Sequence, residues 1–136
     1  MSADVLLIED SADDVLFIRR AFRAAEADVA LRVACDGEQA LEALGAERVP
    51  DLILLDLKLP RVGGLEVLSW LRAQAHLALV PVVVLTGSHE PQDVRGAYEL
   101  GANSYLVKPV NAEALRHLVG TLGAYWLRLN TRPPGR

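Results

Sequence analysis

The chain has 136 residues, 51% of them hydrophobic and 24% charged, which is typical of one soluble globular domain and leaves no room for a second of ordinary size. Its formal net charge of −4, without any block of Lys and Arg, disfavours nucleic acid as the main partner, because a phosphate backbone binds to basic surfaces. No apolar run is long enough for a signal peptide or a membrane span, and the single cysteine excludes an internal disulfide, so we expect no membrane partner and a cytoplasmic location.

Five short segments predict β-strands, and segments of helical periodicity lie between them. In chain order these strand segments are 5–8, 31–35, 52–55, 82–85 and 104–107. The first, third and fourth are continuous aliphatic runs, as in parallel strands that are covered on both faces, whereas the second and fifth are mixed, as in strands near an edge. We expect Cys35, at the end of the second strand, to be a small buried residue.

The predicted helices follow the strands one by one. A cap formed by Ser11 and Asp14 begins the first helix, whose apolar face extends to Ala25. The remaining predicted helices are 37–44, 64–74, 92–100 and 111–129. Two prolines and a glycine occur near the end of the chain, so the predicted domain is 1–130 and the predicted flexible tail is 131–136.

The alternation of strands and helices predicts an α/β fold of the (βα)5 type, because strand–helix–strand units form parallel sheets with right-handed crossovers. The most apolar strands belong in the middle of the sheet, and the two mixed strands belong at its edges. The predicted fold class is therefore a doubly wound, flavodoxin-like five-stranded parallel sheet with the strand order 2-1-3-4-5.

Polar side chains that can carry chemistry follow four of the predicted strands. Glu9 and Asp10 follow the first strand, and Asp56 follows the third. Thr86 ends the fourth, and Lys108 follows the fifth. Any one of these residues alone is more simply explained as a helix cap, a turn residue or a solvated side chain. In doubly wound sheets, however, functional sites lie at the carboxyl ends of the strands, and these strands are neighbours, so the residue types predict one site.

The residue types at this site favour phosphoryl chemistry. Neighbouring carboxylates repel one another, and a hard divalent cation such as Mg²⁺ relieves that repulsion while leaving room for phosphoryl oxygens. Asp56, in the middle of the sheet, can then act as a nucleophile and form an aspartyl phosphate. Lys108 can pair with Asp56 before transfer and with a phosphoryl oxygen afterwards, and Thr86 can donate to another phosphoryl oxygen.

The chain resembles the receiver domain of two-component response regulators over nearly its whole length, to about Leu129. Each matching segment alone is a weak signal, but their order and spacing together are specific. The segments are 6–10, 50–60, 63–64, 81–86, 101–102 and 108–109.

The resemblance assigns roles to the residues of the predicted site. It implies that Asp56 is the phosphoacceptor and that Lys108 and Thr86 are the other catalytic residues. It also implies that Tyr105 is a switch residue, which turns inward when Thr86 is drawn toward the phosphoryl group, and the position of Tyr105 favours this role over that of an ordinary half-buried strand tyrosine. The Lys108–Pro109 bond resembles the cis peptide of the family.

The resemblance also implies how a metal would bind. Asp10 and Asp56 would bind Mg²⁺ directly, or Mn²⁺ in its place. Glu9 would act largely through water, and Lys58 would offer its backbone carbonyl.

The function that the resemblance implies is that of a single-domain response regulator. Such a protein takes a phosphoryl group from the phosphohistidine of a sensor histidine kinase and is not a multiple-turnover enzyme. We expect it to signal through the surface of helix 4, strand 5 and helix 5, to a downstream protein or to a second copy of itself. Tyr125, Trp126 and Leu129 form a candidate interface, unless they only cover the sheet. A finer resemblance to the small receivers that pair with bacterial phytochrome kinases lies in 97–98, 100–110 and 125–127.

Two other functions stay open on the sequence alone. A Mg²⁺-dependent phosphohydrolase of the haloacid-dehalogenase type also uses an aspartyl nucleophile, but on its first strand and with a second Asp two residues on, where this chain has Glu9, Asp10 and Ser11. A pseudo-receiver, which is a binding module that has lost phosphorylation, is disfavoured because all the site residues are present.

Overall fold

The structure is a computed structural model that describes residues 2–25, 28–46 and 48–134. Within these ranges the chain forms one parallel sheet whose strands, numbered along the chain, lie in the order 2-1-3-4-5, which confirms the predicted topology. The strands are β1 (Ala3–Ile8), β2 (Val29–Ala34), β3 (Leu52–Leu55), β4 (Val82–Thr86) and β5 (Ser104–Val107). The division into a domain 1–130 and a flexible tail 131–136 stays a prediction, and it includes residues outside the described ranges, namely 1, 26, 27, 47, 135 and 136.

The helices of the described chain follow the strands as predicted. Ser11, Asp36 and Asn111 cap the first, second and last of these helices, because each side chain accepts a hydrogen bond from the backbone N–H three residues later. The predicted last helix ends its α-helical part at Gly123 and continues as a wider π-helical turn over Ala124–Leu129. The helices are α1 (Ala12–Ala24), α2 (Gly37–Gly45), α3 (Gly64–Arg72), α4 (Pro91–Glu99) and α5 (Ala112–Gly123).

The hydrophobic core has one layer on each face of the sheet. Successive side chains of a strand point to opposite faces, so Leu6 and Ile8 lie in one layer while Val5 and Leu7 lie in the other. Helices α2, α3 and α4 cover the first layer, and α1 and α5 cover the second. Every residue of β1, β3 and β4 is buried, whereas β2 and β5 are largely half-buried, which agrees with their predicted places in the sheet.

Two local predictions are wrong. Cys35 is exposed rather than buried, because β2 ends one residue earlier and the buried position is taken by Ala34. The Lys108–Pro109 bond is trans, since the described chain contains no cis peptide, and trans is the more stable isomer of most X–Pro bonds. No described helix is both long and apolar enough to cross a bilayer.

The Arg72 guanidinium fastens the end of α3 to the starts of β4 and β5. Its N–H groups donate, at 2.8 to 3.2 Å, to the carbonyl oxygens of Leu77, Ala78, Val80 and Gly101 and to Asn103 Oδ1. The same Asn103 oxygen also accepts a bond of 2.8 Å from the backbone N–H of Val82. The hydrogen bonds of this guanidinium, which we call the Arg72 fork, therefore fix the end of the sheet that lies opposite the predicted site.

Candidate functional site

The predicted site residues meet at the carboxyl edge of the sheet. The pairing of Ile8 with Leu55 in β1 and β3 brings Glu9 beside Asp56, whose backbone N–H donates to Ile8 O at 3.0 Å. One carboxylate oxygen from each of Glu9, Asp10 and Asp56 lies within 4.8 Å of the others. Glu9 is 1% exposed and Asp56 is 6% exposed, whereas Asp10 lies at the surface. Three acidic groups from two strands thus form one cluster that is open to solvent on the side of Asp10.

Both carboxylate oxygens of Asp56 have defined partners. Oδ1 accepts a hydrogen bond of 2.6 Å from Thr86 Oγ1 and another of 3.2 Å from the backbone N–H of Lys58. Oδ2 lies 3.2 Å from the Lys108 ammonium. A Cβ atom on Gly64 would lie only 2.4 Å from the Asp56 carbonyl oxygen, so α3 can start against this loop only with glycine. The contacts with Thr86, the Lys58 backbone N–H and Lys108 together hold the Asp56 side chain in one orientation.

The Lys108 ammonium is the positive charge that balances this cluster. Among the described residues it contacts three carboxylates, at 2.6 Å to Glu9 Oε1, 2.8 Å to Asp14 Oδ2 and 3.2 Å to Asp56 Oδ2. Its backbone N–H donates to Thr86 O at 2.8 Å, which continues the pairing of β4 and β5 beyond the strands. The ammonium is therefore shared, and its longest contact is the one to Asp56.

The pKa values of Glu9 and Lys108 reflect this crowding. Burial, together with the negative charge of Asp56, raises the pKa of Glu9 to about 7, against the opposing effects of Lys108 and of the Ser11 backbone N–H. Burial by itself lowers the pKa of Lys108, but hydrogen bonds to Asp14 and Glu9 and the charge of Asp56 outweigh it and leave that pKa above its ordinary value. The site therefore keeps its lysine charged and leaves its buried glutamate easy to neutralise.

Sequence reasoning missed the contact between Asp14 and Lys108. It treated Asp14 only as part of a helix cap, which the structure also shows, since its backbone N–H donates to Ser11 Oγ at 3.2 Å. A signal was present, because Asp14, Ile18 and Phe22 recur every fourth residue on one helical face. A carboxylate at the site end of a face that is otherwise buried is a candidate partner for a buried cation.

Tyr105 and Lys58 lie beside the cluster, and both also reach toward α4. The Tyr105 hydroxyl donates to Ser88 O at 2.8 Å, and partial burial raises the pKa of this phenol. The Lys58 ammonium lies 3.5 Å from Asp93, whose pKa is held below its usual value mainly by a hydrogen bond of 2.5 Å from Ser88 Oγ. The loop after β4 therefore connects the site to the start of α4.

The predicted interface residues divide into two kinds. Tyr125 is 48% exposed and Leu129 is 76% exposed. Trp126 packs partly against the core layer under α1 and α5, with its ring edge-to-face on Tyr125 at a centroid distance of 5.0 Å. Tyr125 and Leu129 thus stay available to a partner, while Trp126 also covers the protein's own core.

A hard divalent cation fits the donor set of this site. Carboxylate oxygens are the ligands that Mg²⁺ and Mn²⁺ prefer, and the cluster offers one from each of three residues. One ammonium does not neutralise the charges of Glu9, Asp10, Asp14 and Asp56, so the site attracts a further cation.

Comparisons with known proteins agree with this geometry. The family model described as "Response regulator receiver domain" matches residues 5–120. The probable methanogenesis regulatory protein FilR2 of Methanothrix harundinacea is 40% identical over 134 residues, which cover 95% of this chain and 86% of FilR2. Response regulator Rcp1 of Synechocystis sp. is 37% identical over 135 residues, covering 95% of this chain and 92% of Rcp1.

Solved structures give the same result. The Mn²⁺-bound form of Rcp1 superimposes with a TM-score of 0.88 at 37% identity and covers 97% of this chain and 99% of its own. The phosphorylated cyanobacterial phytochrome response regulator RcpA superimposes with a TM-score of 0.93 at 33% identity, over 98% of this chain and 100% of its own. The chain therefore belongs to the response regulator receiver family.

Proposed function

We propose that the protein is a single-domain response regulator that accepts a phosphoryl group on Asp56 from the phosphohistidine of a sensor histidine kinase. The observation that carries the proposal is the placement of Asp56. Its side chain is buried, accepts a hydrogen bond of 2.6 Å from Thr86 and lies beside the carboxylates of Glu9 and Asp10. The likeness to RcpA, which is named as a phytochrome response regulator, supports a bacterial phytochrome as the kinase. A cytoplasmic location follows from the same role.

In the proposed reaction a carboxylate oxygen of Asp56 forms a bond to phosphorus while the bond from phosphorus to the imidazole nitrogen breaks. The electron pair of that bond stays on the nitrogen, which takes up a proton from water. Asp10, Asp56 and the Lys58 carbonyl would hold Mg²⁺ or Mn²⁺, and Glu9 would act through water. When bound, the metal neutralises charge on the phosphoryl oxygens.

The residues around Asp56 respond to the new charge. A phosphoryl group adds nearly two negative charges and three acceptor oxygens. The Thr86 hydroxyl exchanges Asp56 Oδ1 for a phosphoryl oxygen, and the Lys108 ammonium pairs with another. As Thr86 moves, Tyr105 leaves Ser88 O and turns toward the vacated space. The surface of α4, β5 and α5 then differs between the two states.

The output is a protein contact. Tyr125 and Leu129, which are exposed, and Trp126 beside them offer an apolar surface at the end of α5 for a downstream protein or a second copy of the chain. The protein is reset when the acyl phosphate is hydrolysed, so it passes through one cycle per phosphoryl group rather than turning over a substrate.

The proposed function is tested with beryllofluoride, which mimics the phosphoryl group, and then with kinases. We expect beryllofluoride with Mg²⁺ to bind the wild type and not the Asp56→Asn variant, while Asp13→Asn, which changes an exposed acid, binds like the wild type. Phosphotransfer from a panel of histidine kinases then identifies the donor. Equal binding by wild type and Asp56→Asn would remove Asp56 from its role, and sustained turnover of a phosphate ester would favour a phosphohydrolase.

A further inference from the structure

We propose that Asp14 is a positioning residue, whose carboxylate holds the Lys108 ammonium on the α1 side of the site and so restrains it from the phosphoryl group on Asp56. The inference rests on the proposed function, because it assigns how Lys108 is shared before and after phosphorylation. It gives a role to an acidic residue that neither accepts the phosphoryl group nor belongs to the metal-binding set.

The Lys108 ammonium is already engaged by three carboxylates. It has three N–H donors, and the three carboxylates take them at 2.6 Å for Glu9, 2.8 Å for Asp14 and 3.2 Å for Asp56. A phosphoryl oxygen must therefore compete with an existing partner. Glu9 is 1% exposed, so water cannot take the place of its contact with Lys108, whereas the Asp14 side chain is 27% exposed and can bind water instead. Between Glu9 and Asp14, Asp14 is therefore the partner from which a phosphoryl oxygen can draw the Lys108 ammonium away.

Hydrogen bonds at the start of α1 hold the backbone at Asp14 in place. Glu9 Oε2 accepts a hydrogen bond of 3.1 Å from the Ser11 backbone N–H, and Ser11 Oγ accepts one of 3.2 Å from the Asp14 backbone N–H. The first turn of α1 is thus fastened to the site itself. Because the backbone at Asp14 is held in this way, its carboxylate can follow the ammonium only by rotation of its own short side chain.

The neighbouring acidic residue, Asp13, differs from Asp14 in its exposure. Asp13 lies on the same turn of α1 and carries the same charge, but its side chain is exposed to solvent. The contact with Lys108 is therefore a property of position 14 and not of an acidic first turn in general. Asp13 is for this reason a matched control, since its replacement removes one charge from the same turn without touching Lys108.

The consequence can be measured with beryllofluoride. Removing the Asp14 charge frees Lys108 for the phosphoryl mimic, and because a partly exposed ion pair contributes less than a buried one, we expect Asp14→Asn to bind it about three- to tenfold more tightly. Asp13→Asn should change the affinity by less than about twofold, through long-range charge alone. Asp14→Glu keeps the carboxylate and should restore affinity toward that of the wild type.

A double-mutant cycle separates positioning from a direct effect of charge. In a Lys108→Met background the gain from Asp14→Asn should disappear, because the group that Asp14 restrains is gone. A gain that persists without Lys108, or one that Asp13→Asn reproduces in full, would overturn the proposal. So would weaker binding by Asp14→Asn, since the sign would then be opposite.

A second measurement does not depend on metal or phosphorylation. In the metal-free protein, the ¹⁵Nζ resonance of Lys108 should shift in Asp14→Asn and stay in place in Asp13→Asn. An unchanged resonance in Asp14→Asn would refute the contact, even if the Lys108→Met variant does not fold. If the wild type itself fails to bind beryllofluoride while the resonance still shifts, the proposed function fails and the contact stands.

Discussion

Replacing Arg72 with Met removes the guanidinium fork that joins α3 to the starts of β4 and β5, but it keeps an unbranched apolar side chain. Four of its contacts are partly buried, one each to the carbonyl oxygens of Leu77 and Val80 and two to that of Gly101. At about 1 kcal/mol for each partly solvated hydrogen bond, the free energy of unfolding should fall by about 4 kcal/mol. The two exposed contacts add little, because water replaces them.

The Arg72→Lys variant makes the test sharper. Burial already lowers the pKa of Arg72, so the site accommodates a charge at some desolvation cost. A lysine keeps that charge but has no planar fork, so it can satisfy only part of the acceptor set. We therefore expect Arg72→Lys to lose about half of what Arg72→Met loses, or about 2 kcal/mol.

The assay is urea unfolding followed by tryptophan fluorescence, with Arg95→Met as the control. Arg95 is an exposed arginine of α4, and its replacement should change the free energy of unfolding by less than about 0.5 kcal/mol. The midpoint should move while the dependence on urea concentration stays the same. If Arg72→Met lost no more than Arg95→Met, or if Arg72→Lys were as stable as the wild type, the fork would not stabilise the sheet as argued.

Two further predictions concern the site. Gly64→Ala would put a Cβ 2.4 Å from the Asp56 carbonyl oxygen, so we expect a loss of about 1 to 3 kcal/mol in unfolding free energy and weaker beryllofluoride binding. Gly45→Ala meets nothing within 4 Å and should be neutral or stabilising, and equal losses in both variants would contradict the steric argument. Saturating Mg²⁺, at about 100 times its dissociation constant, should raise the stability of the wild type and of Asp13→Asn by about 2.7 kcal/mol. In Asp10→Asn most of that gain should be absent, and a full gain there would exclude Asp10 as a ligand.

The sheet was predictable because each strand carries the pattern of its own environment. The continuous aliphatic segments 52–55 and 82–85 can be buried on both faces only in the middle of a parallel sheet, and the structure places β3 and β4 there. The meeting of Asp56 with Glu9 follows from this order, because adjacent parallel strands end at the same edge. The apolar pattern of each strand and the topology of the whole sheet thus predict the same strand order.

What sequence reasoning missed depends on contacts between distant segments. Asp14 and Lys108 are 94 positions apart, and the geometry of their contact is set by how α1 packs on the sheet. The acceptors of Arg72 include Gly101, whose φ of 107° also turns the chain back toward β5. The π-helical turn covers only Ala124–Leu129. Over so short a segment the spacing of apolar residues is the same in a π-helix and an α-helix, so the sequence pattern does not distinguish the two.

The two ends of β4 and β5 are held in different ways, and this difference determines where a signal can emerge. At their starts, Arg72 and Asn103 bind backbone groups through a fixed set of hydrogen bonds. At their far ends, Thr86 and Lys108 hold Asp56 only through side-chain contacts, for which the oxygens of the proposed phosphoryl group would compete. Because close-packed interiors do not absorb displacement, movement of Thr86 cannot be taken up by sliding the whole strand. We therefore expect it to emerge beside Tyr105, on the surface of α4, β5 and α5, and not on the opposite side of the sheet.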